Sequence, residues 1–215
     1  MVVARRIALL EQTADAVRAA GRRALAVPAD VRDPAACQAV IGAAAAEFGH
    51  VDCLVNNAGV AHTAPSTRES PERFRAVVDV NLNGVYWMAQ ACGRVMRPGS
   101  AIVNISSMLG ITTAGLPHAA YSATKAAVIG LTRDLAQQWT GRKGIRVNAL
   151  APGFFPSEMN DQYSREYLAE QGPRMLVGRL GRPRELSATL VWLLSDAAGY
   201  VTGQVIVVDG GVTIT

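Results

Sequence analysis

The sequence predicts an α/β chain built on a doubly wound parallel sheet, with helices on both faces. Two observations carry this reading. Short apolar runs alternate with longer stretches of helical spacing from one end of the chain to the other. Each run is followed by small, polar or turn-forming residues: Arg5-Arg6, Asp30-Val31, Asn56-Asn57-Ala58-Gly59, Ser106-Ser107 and Pro152-Gly153. In such sheets ligands sit beyond the carboxyl ends of the strands, so these are the places to look for chemistry.

Taken in order, Val2–Ala4 reads as the end of a buried strand, and 6–20 as a helix closed by Gly21. Residues 23–27 form a second short strand. A helix over 34–48 has Asp33 as its cap, Pro34 at its first position and Gly49 behind it. The next strand is 51–55. A long helix lies within 71–96, capped by Ser70 and stopped by Pro98-Gly99. Strand 101–105, a helix over 117–139 and strand 145–150 follow. Residues 157–171 read as a short mobile helical segment, 183–194 as a helix and 204–208 as the last strand.

The chain has 215 residues, half of them hydrophobic and 18% charged, a composition that suits one globular domain with a sizeable core. No apolar run reaches the ~18 residues of a membrane span, and the first residues lack a signal-peptide layout, so a cytoplasmic location is expected. The net charge is +4, but the arginines are scattered with no dense run or interleaved aromatics, which argues against nucleic acid. Cys37, Cys53 and Cys92 are far apart, and His50, His62 and His118 have no ligand spacing, so no metal site is expected.

The most informative stretch is Tyr121-Ser-Ala-Thr-Lys125. A spacing of four stacks two side chains on one helix face, which sets an ammonium beside a phenol. A nearby cation favours the phenolate and lowers a pKa that is ordinarily ~10, fitting the tyrosine for proton transfer. The alternative is an aromatic packed in a helix beside a solvated lysine.

Several motifs, in order, resemble the short-chain dehydrogenase/reductase family. They are Asn56-Asn57-Ala58-Gly59 after a strand, Asn81 in Val80-Asn-Leu-Asn-Gly84, Ser107 in Ile105-Ser-Ser-Met-Leu-Gly110, and Tyr121 with Lys125. Pro152-Gly153 with Ser157 and the closing Gly203–Gly211 stretch complete the series. The resemblance implies a Rossmann-like fold and an oxidoreductase that interconverts a secondary alcohol and a ketone. Tyr121 would exchange the proton, Lys125 would tune it and bond the nicotinamide ribose, Ser107 would bond the substrate oxygen, and Asn81 would order a relay water. Asp30, Val31, Asn57, Ala58, Gly59, Pro152, Gly153 and Ser157 would line the cofactor, with Asp30 against the adenine. Singly, these serines and asparagines also read as strand ends, turns or a helix kink, and Asp30 as a helix-capping loop residue.

Arg5 bears on the cofactor. An acid after this strand suits the ribose hydroxyls of NAD, whereas Ala4-Arg5-Arg6 suits the 2′-phosphate of NADP, with NAD as the alternative. The substrate would lie between Ser107, Leu109, Tyr121, Phe154, Phe155 and segment 157–171, read as a lid. The branches most resembled are 3-oxoacyl-thioester reductases and sugar-acid dehydrogenases. A homotetramer or homodimer through helices 71–96 and 117–139 is also implied.

One departure stands against the resemblance. The family opens with a strand, a glycine-rich turn and a helix that cradle the pyrophosphate. Here no Gly-x-Gly turn occurs, and the sequence starts inside the second strand, so the first β-α unit, roughly 30 residues of the first βαβ unit, is expected to be missing. The first two strands would then have nothing obvious to pair with, and strand 51–55 would be an exposed edge. Three explanations stand open: a start assigned too late, a truncated product that is inactive or unstable, or another segment or subunit filling the gap; the alternative function is a non-catalytic remnant that serves as an assembly partner.

Overall fold

A computed structural model describes residues 1–159 and 164–215. Its elements are β1 (Val2–Ala4), α1 (Ile7–Ala19), β2 (Ala26–Pro28), α2 (Pro34–Phe48), β3 (Cys53–Asn56), α3 (Pro71–Val78), α4 (Gly84–Val95) and β4 (Ala101–Ile105). After these come α5 (Ala119–Lys143), β5 (Arg146–Pro152), α6 (Arg165–Gln171), α7 (Pro183–Leu194) and β6 (Val205–Val208). All ladders are parallel, and the alternation of strands and helices is the α/β fold that the sequence predicts. No helix among the described residues is long and apolar enough to cross a membrane. No group of three His, Cys, Asp or Glu side chains among them could hold a metal ion.

The sheet comes in two pieces. β3-β4-β5-β6 form one, and β1-β2 form the other. The expectation that the first two strands lack partners is corrected: Val2, Val3 and Ala4 pair in register with Ala26, Val27 and Pro28. Their short ladder satisfies the backbone groups that burial would otherwise leave unpaired. The facing edges of β1 and β3 stay apart. Between them lies a cavity of about 550 Å³ whose walls include Val3, Ile41, Cys53, Val55 and Met88.

Side-chain alternation along the strands fixes the two faces. Ile102 and Val147 point to α2, α4 and α5, where they meet Val40, Ile41, Ala89, Cys92 and Leu135. Val103 and Leu150 point the other way and meet Leu193 of α7. The caps follow the local sequence. The Asp33 carboxylate accepts from the Ala35 N–H, the Ser70 hydroxyl accepts from the Arg73 N–H, and Gly144 ends α5 at φ 66°.

Polar groups also reach the core. Asn56 donates to the Asn104 side chain (2.9 Å), Asn104 to Thr132 (3.0 Å), and Thr132 to the Val128 carbonyl (2.7 Å), tying β3, β4 and α5 together. Arg146 is buried, and its guanidinium donates to the carbonyls of Leu193 (2.9 Å), Ser195 (3.0 Å) and Val201 (3.5 Å). It closes the C-terminus of α7, where carbonyls lack helical partners.

The long helix expected over 71–96 is broken. Between α3 and α4, residues Asp79–Asn83 form a π-helical turn. The extra residue in this turn rotates Asn81 inward, where it is fully buried. Its amide accepts from the Val60 N–H (2.8 Å) and donates to the Val60 carbonyl (2.9 Å) and the Thr124 hydroxyl (3.3 Å).

Candidate active site

Tyr121 and Lys125 lie one turn apart on α5, and the Lys125 Nζ sits 5.6 Å from the Tyr121 ring centroid. Lys125 is 3% exposed, so it is not a solvated lysine. Its Nζ donates to the Ile105 carbonyl at the end of β4 (2.7 Å), and burial lowers its pKa to about 8. The Tyr121 phenol is shifted upward by burial, against the opposing effect of the Ser107 hydroxyl, which favours the phenolate. This corrects the expectation that spacing alone lowers the Tyr121 pKa. The desolvation that pushes the phenol up also weakens the charge on the lysine meant to pull it down.

Ser107 follows β4 and accepts from the Leu109 N–H (3.1 Å) at the start of the 3-10 turn Met108–Gly110. The Asn57–Gly59 segment after β3 comes to the same place: a Cβ built on Gly59 would lie 3.6 Å from both the Asn81 Oδ1 and the Lys125 Nζ. Leu109 and Phe154 are buried in one apolar cluster with Met108, Ala114 and Met175, against which Tyr121 packs. Phe155 lies instead against Gly181 and lines a separate cavity of about 200 Å³ with Met175, Val177 and Arg179. Pro152 ends β5, and Gly153 donates to the Val208 carbonyl (2.9 Å). Ser157 follows on an exposed turn. Of segment 157–171, residues 160–163 lie outside the described residues; α6 covers the latter part, and Tyr167 donates to the Ala114 carbonyl (2.8 Å).

At the far end of the strand edges, Asp30 is gripped by Arg32 through three contacts of 2.6–3.0 Å. The Arg32 fork, helped by Arg5, holds the Asp30 carboxyl below its usual range. Arg5 itself makes no hydrogen bond or ion pair among the described residues. Val31 packs on Gly84, where a Cβ would come within 2.7 Å of the Val31 Cγ2.

Sequence reasoning missed three residues here: Arg32, Glu158 and Gly110. Arg32 carried a local signal, since a guanidinium two residues from a carboxylate can fold back on it. Gly110 carried none. A Cβ there would lie 2.8 Å from the Lys125 carbonyl carbon and 2.9 Å from the Ala126 N, backbone atoms that cannot step aside. Gly110→Ala is therefore expected to destabilise the fold by about 1–3 kcal/mol in urea unfolding and to push α5 off its seat. An unchanged midpoint would show that α5 moves freely.

The depressed Lys125 pKa has a consequence for stability. The unfolded chain holds the lysine proton up to about 10.5, and the folded one only to about 8. Between these values the unfolded state binds more protons, so Lys125 makes stability rise with pH. Relative to Lys125→Met, the unmutated protein is expected to gain on the order of 2–3 kcal/mol from pH 8 to pH 10.5. Parallel unfolding curves for the two proteins across that window would overturn the assignment.

A family model described as enoyl-(acyl carrier protein) reductase matches residues 1–213. The chain is 37% identical to the 2-dehydro-3-deoxy-D-gluconate 5-dehydrogenase of Escherichia coli, over 93% of this chain and 80% of that protein. It is 39% identical to a 3-oxoacyl-(acyl-carrier-protein) reductase of Staphylococcus aureus, over 94% and 82%. Among solved structures, a gluconate 5-dehydrogenase from Burkholderia cenocepacia in complex with NADP and tartrate superposes with a TM-score of 0.91 at 34% identity, over 100% of this chain and 85% of that one. A short-chain type dehydrogenase/reductase from Mycobacterium marinum gives 0.94 at 32% identity, over 100% and 85%. With its parallel Rossmann-like sheet and these relatives along its whole length, the chain belongs to the short-chain dehydrogenase/reductase family.

Proposed function

We propose that this oxidoreductase interconverts a secondary alcohol and a ketone with NADP(H), on a small polar substrate such as a sugar acid or a 3-oxoacyl thioester. The observation that carries the reading is the meeting of Tyr121, Lys125, Ser107 and Asn81 beside Gly59, from four separate segments of chain.

The residues present suit a nicotinamide dinucleotide at both of its ends. The Lys125 ammonium has three donors and spends one on Ile105 among the described residues, leaving others for ribose hydroxyls. The absence of a side chain at Gly59 keeps the approach to it open. At the other end, Arg5 suits a 2′-phosphate, and the run Ala4-Arg5-Arg6 offers no acid to take ribose hydroxyls, which favours NADP over NAD. Asp30 would stand against the adenine, and Val31, Asn57, Ala58, Pro152, Gly153 and Ser157 would line the rest of the cofactor. The middle fits less well, because the cavity between β1 and β3 offers no glycine-rich turn for the pyrophosphate.

When bound, the nicotinamide supplies the hydride chemistry. Tyr121 gives a proton to the carbonyl oxygen, or takes it from the alcohol. Ser107 donates to the same oxygen and steadies the charge that develops there. Lys125 lowers the cost of the phenolate while Tyr121 is deprotonated. Asn81 holds the Val60 backbone and a relay position beside Lys125. Leu109 and Phe154 exclude water from one side, whereas Phe155 lines the separate cavity beside Gly181. The same reading takes 1–215 as one catalytic domain in the cytoplasm, assembled as a homotetramer or homodimer through α3–α4 and α5.

The test is an NADPH titration followed by nicotinamide fluorescence, with NADH run beside it. Micromolar binding that favours NADPH supports the reading. If neither nucleotide binds, the reading falls, and the chain is better taken as an assembly partner without catalysis.

A further inference from the structure

Arg6 and Glu158 stand 152 positions apart in sequence, yet the Arg6 Nη2 lies 2.8 Å from the Glu158 Oε2. Arg6 lies two residues beyond the end of β1 and directly precedes α1, whereas Glu158 lies in the turn region after β5. β1 and β5 belong to different sheets, so this contact crosses the crevice outside the carboxyl ends of the strands.

The surroundings of Arg6 make the pairing informative. Its side chain does not cap α1, and the first turn of α1 carries no acidic residue. The α1 N-terminus carries a partial positive charge, and Arg5 and Arg6 precede it, with Arg5 near the Asp30 carboxylate that Arg32 already holds. The only carboxylate that an ion pair brings to Arg6 among the described residues is Glu158, from the other side of the crevice. Both side chains are more than half exposed, at 67% and 73%, so the pair is not needed to neutralise a buried charge.

We propose that the Glu158 carboxylate is a placeholder for a phosphate. It occupies the anion position beside Arg6 that the 2′-phosphate of the nucleotide takes on binding, so the two compete for one guanidinium. Glu158 is then a specificity-determining residue: it weakens the binding of 2′-phosphorylated nucleotides and leaves unphosphorylated ones untouched. This rests on the reading of the crevice as a nicotinamide dinucleotide site. The competition is modest in size, because an exposed ion pair contributes a factor of up to about five to an equilibrium.

The test compares the unmutated protein with Glu158→Gln, Arg6→Gln and the double variant, by fluorescence titration with NADPH and with NADH. No turnover is needed, and an exposed Glu→Gln change leaves the fold intact. Glu158→Gln is expected to bind NADPH two- to fivefold more tightly, with NADH affinity unchanged. In the Arg6→Gln background the same substitution is expected to gain nothing. Equal NADPH affinity in the unmutated protein and Glu158→Gln, or an equal gain for both nucleotides, overturns the placeholder while leaving the dinucleotide site standing. Failure of every variant to bind either nucleotide overturns both.

Discussion

Tyr121→Phe is expected to lower kcat by about 10²- to 10⁴-fold while leaving NADPH affinity nearly unchanged. The substitution removes one hydroxyl and keeps the ring that packs on the apolar cluster containing Leu109 and Phe154. The fold and the apolar wall should survive it, and the missing function is proton exchange at the substrate oxygen. Burial shifts the Tyr121 pKa upward in the ligand-free protein, so the phenol is protonated and ready to donate at neutral pH. Steady-state kinetics beside a nucleotide titration separates the two effects. A loss of less than tenfold in kcat would mean that another group carries the proton, and the assignment of Tyr121 would fail.

Arg146→Met is expected to destabilise the protein by about 3–5 kcal/mol. The side chain keeps much of its apolar length but loses the guanidinium, and with it the two shorter bonds to the carbonyls of Leu193 and Ser195 at the end of α7. Hydrogen bonds from a charged donor contribute about 1.5–3 kcal/mol each, and a carbonyl left buried without a partner adds a desolvation cost. Urea unfolding of the unmutated protein and the variant gives the difference directly. A loss below about 1 kcal/mol would show that water or a rearranged α7 satisfies those carbonyls. Activity per folded molecule should change little, because Arg146 lies at the opposite end of β5 from Pro152.

These two residues also mark what was legible in the sequence. Tyr121 and Lys125 could be placed together because a spacing of four is a local rule of the helix. The caps at Asp33 and Ser70 were legible for the same reason. Arg146 was not, because its partners lie some 50 residues away and nothing in its own strand announces them. Asn81 was read either as a site residue or as a helix kink, but not as both, with the kink aiming the side chain. A π-helical turn adds one residue to an otherwise regular repeat, and its cause here is the distant grip of Asn81 on Val60 and Thr124. The direction of the Tyr121 pKa was misread because spacing gives the neighbour and not the burial of both groups. Phe154 and Phe155 are adjacent in sequence, yet only Phe154 joins the cluster beside Tyr121. The pairing of β1 with β2 escaped because an expected neighbour between β1 and β3 was built into the reasoning.

The division of the sheet bears on how the molecule breathes. β4 and β5 are held on both sides by ladders and covered by helices on both faces, so their amides can exchange with solvent only through large-scale opening. Among the described residues β1 and β2 share a ladder only with each other, of three residue pairs, with Val3 and Val27 resting on the core, and two strands alone are marginal in water. The β1-α1-β2 unit thus forms a cooperative element of its own, able to loosen while the four-stranded sheet stays closed. Arg5 and Arg6 ride on that unit, and Tyr121 and Lys125 ride on the other. The grip on the two ends of a dinucleotide is therefore divided between a labile part of the protein and a rigid one, and a ligand that spans them would slow exchange most in β1 and β2.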